Sequence, residues 1–161
     1  MTVTAVTKDP EARTMTMTAE FSAAVDAVWQ LWADPRKLEQ WWGPPTWPAT
    51  FVEHDLAPGA EVTYYMTGPD GSKAHGWWRI VGVDAPRFMR FEDGFGLDDG
   101  TPNPDMPVMV MQLELRPSDG GGTTMTLETA FPSVEAMEQI LAMGMDEGLA
   151  QAMGQMDALL G

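Results

Sequence analysis

Cysteine is absent from the 161 residues, which removes disulfides, thiolate metal ligands and cysteine nucleophiles together. Basic residues are scarce: 9 Lys and Arg stand against 24 Asp and Glu, a formal net charge of −15. That field repels polyphosphates and anionic headgroups, so neither nucleic acid nor membrane is an expected partner. Histidine occurs only as His54 and His75, not as a pair at helical spacing, and no metal is expected. No apolar run approaches the roughly 20 residues that span a bilayer. The N-terminus lacks the basic start and apolar stretch of a secretory leader, so a cytoplasmic protein is expected. Nucleophile-elbow, phosphate-cradling and dinucleotide motifs are also missing, and no cofactor is implied.

What is present is a large, soft, aromatic apolar inventory, with 14 Met and 7 Trp. Methionine fills irregular spaces and is frequent on adaptable binding surfaces. Residues 1–12 show no closed pattern and are expected to form a loose tail before one domain over 13–161. From Thr14, the residues Met15, Met17, Ala19 and Phe21 alternate with polar neighbours, as in a half-buried strand. Ser22 then offers an N-cap to a helix carrying Val25, Val28, Trp29 and Trp32, which Asp34-Pro35 ends. A second short helix is expected over about 35–41. Strands follow at 49–55, 61–66, 74–83, 87–93, 108–116 and 123–131, separated by turn signals such as Pro58-Gly59 and Gly68-Pro69-Asp70-Gly71. Strands joined by turns without helices between them make an antiparallel sheet.

Ser133 can cap a final helix whose stripe is Met137, Leu141, Met145, Leu149, Ala152, Met156 and Leu160. As one rod to about Leu160 it would be roughly 40 Å long and would need the concave sheet face to cover it. The pattern is therefore α+β: a curved antiparallel sheet around a long C-terminal helix, with two short helices after the first strand.

The stretch FSAAVDAVWQLWADPRKLEQWWGP, from Phe21 to Pro44, resembles the signature of activators of the heat-shock-protein-90 ATPase and their bacterial homologues. These belong to the START-like, SRPBCC superfamily, whose helix-grip fold is shared with birch-pollen-allergen-like proteins. The likeness rests on the aromatic first helix, Asp34-Pro35 and Trp41-Trp42-Gly43-Pro44. It extends through Gly76, Pro86-Arg87 and Gly122-Thr123 to the closing helix, covering about 13–161. Two departures make this interior more apolar: Leu149 follows Gly148 where the family places Trp, and Ile80 stands where a glutamate is common. The resemblance implies the helix-grip fold and a ligand held between sheet and last helix.

The residues themselves favour a binding module over an enzyme. Tyr64, Met66, Trp78, Ile80, Met109, Met111 and Leu127 share the parity that points beneath the long helix, with Leu141, Met145 and Gly148 above them. Gly144 and Gly148 each cost a helix about 1 kcal/mol relative to Ala, which a close approach or an open space beneath would explain. A small lipid- or polyketide-like molecule is the expected ligand. Trp41 and Trp42, with Phe95 and Leu97 from the Pro-rich 94–107 insertion, are the expected gate or lid. The alternative is an enzyme of the cyclase or hydrolase type using His75 or a pocket carboxylate. A second alternative, implied by the family name, is contact with a chaperone. Eukaryotic activators add an N-terminal domain for which residues 1–12 leave no room, so this ranks last. The oligomeric state stays open, a homodimer included.

Overall fold

The computed structural model describes residues 3–160. Eight strands form one antiparallel sheet in the order β1-β2-β8-β7-β6-β5-β4-β3. They are β1 (Val3–Asp9), β2 (Thr14–Phe21), β3 (Ala49–Glu53), β4 (Glu61–Thr67), β5 (Lys73–Asp84), β6 (Phe88–Phe95), β7 (Met109–Pro117) and β8 (Thr123–Ala130). Alternation decides which face is buried. Met15, Met17, Met109, Met111, Leu113, Leu115, Met125 and Leu127 are all at most 3% exposed, and their strand neighbours point outward. This is the α+β helix-grip fold.

The segment 3–9, expected as a loose tail, instead pairs with β2 as the sheet's edge, and Lys8 reaches Asp146 at 2.6 Å. Its residues from Thr4 to Asp9 are exposed on both faces, so no inward stripe advertises the strand.

Helix α1 (Val25–Ala33) starts with Ala24 at its N-cap and no side-chain cap, two residues past the expected Ser22. Asp34 ends it and caps α2 (Pro35–Leu38) by accepting from the Arg36 N–H at 2.9 Å. The α2 turn then serves the opposite sheet edge. Glu39 accepts the Phe51 N–H at 2.7 Å, and the Arg36 guanidinium donates to the Phe51 carbonyl at 3.1 Å. Side chains thus satisfy edge-strand groups that would otherwise invite another strand.

The C-terminal segment is three helices rather than one rod. They are α3 (Val134–Ala142), α4 (Met145–Met153) and α5 (Met156–Leu160). Ser133 caps α3 through the Ala136 N–H at 3.0 Å, as expected. Gly144, at φ +84°, breaks the rod by adopting the left-handed conformation that glycine reaches without strain. A turn at 154–155 makes the second break, where the Gln155 amide donates to the Gly43 carbonyl at 2.7 Å. The breaks rephase the buried stripe. Ala136, Met137 and Ile140 are buried on α3, and Leu149, Ala152 and Met153 on α4. Within α3 the buried stripe steps from Met137 to Ile140 rather than to Leu141, which leaves Leu141 on a half-buried shoulder.

Candidate functional site

Two different fillings occupy the concave face. Under α1 and α2, aromatic rings pack solidly: Trp32 against Trp41 at 4.7 Å, Trp42 against Trp78 at 4.9 Å, and Trp78 against Phe91 at 4.4 Å. Under α3 and α4 the filling stops short and leaves a cavity of about 240 Å³. Tyr64 and Met66 from β4, Asp93 and Phe95 from β6, and Met109 and Met111 from β7 form its floor and sides. Ile140, Met143, Gly144, Met145, Gly148 and Leu149 roof it, and Trp42 and Pro44 close one end. Met143 is 59% exposed and marks the open rim. A Cβ on Gly144 or Gly148 would meet nothing within 4 Å. The two glycines therefore border open space rather than a close helix–strand crossing.

The cavity gathers Tyr64, Met66, Met109, Met111, Met145 and Gly148 from the expected pocket residues, and Trp42 and Phe95 from the expected gate. The others lie elsewhere. Trp78, Ile80 and Leu127 face inward but are at most 1% exposed, beneath the solid part of the core. Leu141 sits off the roof for the reason of phase given above. Trp41 is wholly buried and donates its indole N–H to the Leu31 carbonyl at 2.8 Å, so it fastens α1 to the following turn. Leu97 is 42% exposed, because the loop leaves the rim after Phe95 and is tethered to the outer face by the Gly96 N–H on the His75 carbonyl.

His75 belongs to that outer face. Its ring packs on Tyr65 at 5.6 Å, and Tyr65 alternates with the inward Tyr64. It cannot act as a base in the cavity. His54 is also outside the cavity, with Nε2 3.0 Å from the Trp32 carbonyl; burial lowers its pKa, and that carbonyl opposes the shift. Among the described residues no three His, Asp or Glu side chains converge as a metal site.

The polar feature of the cavity is Asp93, which was not singled out in the sequence. It is 8% exposed, and the Tyr64 hydroxyl donates to its Oδ1 at 3.2 Å. Burial pushes the Asp93 carboxyl up to about 7, against smaller lowering effects from the Tyr64 hydroxyl and the Trp78 indole N–H. Burial also raises the Tyr64 phenol well above its ordinary value, and the Asp93 charge adds to the shift. The Trp42 and Trp78 indole nitrogens reach no partner at ordinary hydrogen-bond geometry. Their N–H dipoles nonetheless favour a charged Tyr64 oxygen. Asp93 was legible through parity: Met89, Phe91, Asp93 and Phe95 share one face of β6. The expected strand over 87–93 has Asp93 as its last residue, two residues short of the strand's end at Phe95, and the inward parity is not drawn through it.

A wider depression of about 590 Å³ lies between β1 and α4, lined by Val3, Val6, Ala150 and Gln151 among others. Its charged residue, Asp157, is exposed. It lacks the enclosed apolar walls and buried polar group expected of a small-molecule site.

The sequence model of the activator of Hsp90 ATPase homolog 1-like family matches residues 22–161. The chain belongs to that family. Its fold is one that often binds hydrophobic ligands. A crystallised protein from Mycobacterium smegmatis is 50% identical, with TM-score 0.91 over 99% of this chain and 97% of that one. A protein from Arthrobacter aurescens, solved in solution, is 46% identical with TM-score 0.95 over 99% and 92%. A protein in the dynemicin biosynthetic locus matches at TM-score 0.60 and 19% identity, over 88% of this chain and 45% of that one. That last likeness shows the shared fold alone. No curated protein matches the chain. Among the described residues no helix is long and apolar enough to cross a membrane.

Proposed function

We propose that this family member binds a small, largely apolar molecule in the cavity between the sheet and α3–α4. The cavity itself carries the reading: five methionines and three aromatic rings line a partly open space with a single ionisable pair at its floor. Sites for small organic molecules have this composition, mostly apolar with few polar groups to set orientation. Size narrows the ligand. A cavity of roughly 150 Å³ holds benzene, so about 240 Å³ suits a one- or two-ring compound or a short chain. A complete diacyl lipid is too large, although a longer molecule could extend past Met143 at the rim.

A second reading has its own observation. A carboxyl poised near 7 beside a phenol in an apolar pocket is suited to moving a proton to or from a bound molecule. Binding precedes that chemistry, so one experiment addresses both. Native mass spectrometry of protein purified from its own host should show a bound small molecule. Titration with naphthalene-sized probes should raise the melting temperature. Protein that carries nothing and whose melting is unmoved by every probe would sink the binding proposal.

A further inference from the structure

The charge at the cavity floor lacks a counter-charge. From β4 the side chain that meets Asp93 is Tyr64, and from β5 it is Trp78. β7 and the roof contribute methionine, isoleucine, leucine and glycine, so the lining contains no Lys, Arg or His. Tyr64 is the other titratable group present. The N-terminal turn of α4 borders the cavity, and its dipole is met by its own Asp146 and Glu147.

The polar network has a direction. The Trp42 and Trp78 N–H dipoles bear on the Tyr64 oxygen, and Tyr64 donates to Asp93. The network therefore ends on an acceptor. An uncompensated buried carboxylate is costly unless an opposite charge joins it. Carboxylate and phosphate ligands would add a second negative charge, while a cation would supply the missing partner. The whole chain, at −15, draws cations toward it. The Trp42 ring, which lines the end of the cavity, adds an aromatic wall of the kind that tolerates a nearby cation.

We infer that the cavity takes an apolar amine, its hydrocarbon body against the methionines and its ammonium group against Asp93. This rests on the binding proposal above and names the ligand class for that site.

Three matched probes test it by titration calorimetry on the full chain: naphthalen-1-ylmethylamine, the corresponding alcohol and 1-naphthoic acid. At pH 8 the amine should bind at least about tenfold tighter than the alcohol, and the acid weakest. At pH 7 amine binding should release protons from the part-protonated Asp93, seen as a binding heat that varies with the buffer's ionisation enthalpy. Asp93→Asn should bring amine and alcohol to within about twofold of each other and abolish the proton release. Equal affinity for amine and alcohol, or tightest binding of the acid, overturns the amine inference and leaves the pocket standing. Failure of all three probes to bind the wild-type protein overturns the pocket as well.

Discussion

Tyr64 and Gly76 face each other across the β4–β5 ladder, and the phenol ring occupies the volume that a Cβ on Gly76 would fill. A glycine in mid-strand is costly to order; here its missing side chain lets the Tyr64 hydroxyl reach Asp93. Gly76→Ala should displace the ring, lowering stability by about 1–3 kcal/mol and weakening ligand binding. A double-mutant cycle with Tyr64→Leu checks the contact. The alanine should cost clearly less when the ring is already gone, and additive effects would refute the coupling.

The Asp93 carboxyl carries a pH signature. Its pKa is raised on folding, so between the ordinary carboxylate value near 4 and about 7 the native state holds the proton more tightly than the unfolded chain does. Stability from this group is therefore complete below about pH 4, falls as pH rises, and levels off above about 7. Each unit is worth about 1.4 kcal/mol, so the loss is at most about 4 kcal/mol. His54, whose pKa is lowered, acts in the opposite sense by weakening the fold as pH falls through about 6.5. Urea titrations of wild type and Asp93→Asn remove the His54 contribution by difference. The variant's relative stability should climb from pH 4 to pH 7, and a flat difference would count against the shift.

Gly148 offers a clean way to fill the cavity. It lies inside α4, where a Cβ meets nothing within 4 Å. Gly148→Ala should stabilise the protein by about 0.5–1 kcal/mol through helix propensity alone. Gly148→Met should keep the fold and exclude naphthalene-sized probes. A Met variant that binds as tightly as wild type would place the ligand elsewhere.

Trp42 and Phe95 border the cavity with unequal structural duties. Trp42 is 5% exposed and packs edgewise on Trp41, Tyr64 and Trp78. Its replacement by Ala should cost about 3–5 kcal/mol, as in an ordinary core. Phe95 is half-buried at the strand end. If it covers the opening, Phe95→Ala should change probe on- and off-rates while costing little stability. Stopped-flow fluorescence and thermal melts separate the two effects, and a core-like loss of stability would make Phe95 a packing residue.

Periodicity carried the fold because most strands have one wet face: Met109, Met111, Leu113 and Leu115 could share a side only in a strand. It failed where burial gives no stripe, as in β1, and where backbone conformation overrides side-chain pattern. The residues from Met137 to Leu160 keep helical spacing through the break, yet Gly144 turns left-handed and rephases everything after it. For the site, parity sorted inward from outward correctly at Tyr64 and Met66 but could not say which inward residues lie under a filled region. Trp78 and Tyr64 share a face; only Tyr64 reaches the cavity, because rings from α1 and the loop after α2 cover its neighbour.

The abundance of methionine around the cavity gives the protein built-in reporters. Met66, Met109, Met111, Met143 and Met145 place five terminal methyl groups along one binding space. Each rotates fast enough to give a sharp resonance. Selective ¹³C-methyl labelling would therefore read occupancy residue by residue, with no reporter group engineered in. The outlying Met15, Met17 and Met125, packed elsewhere in the core, would serve as internal standards in the same spectrum.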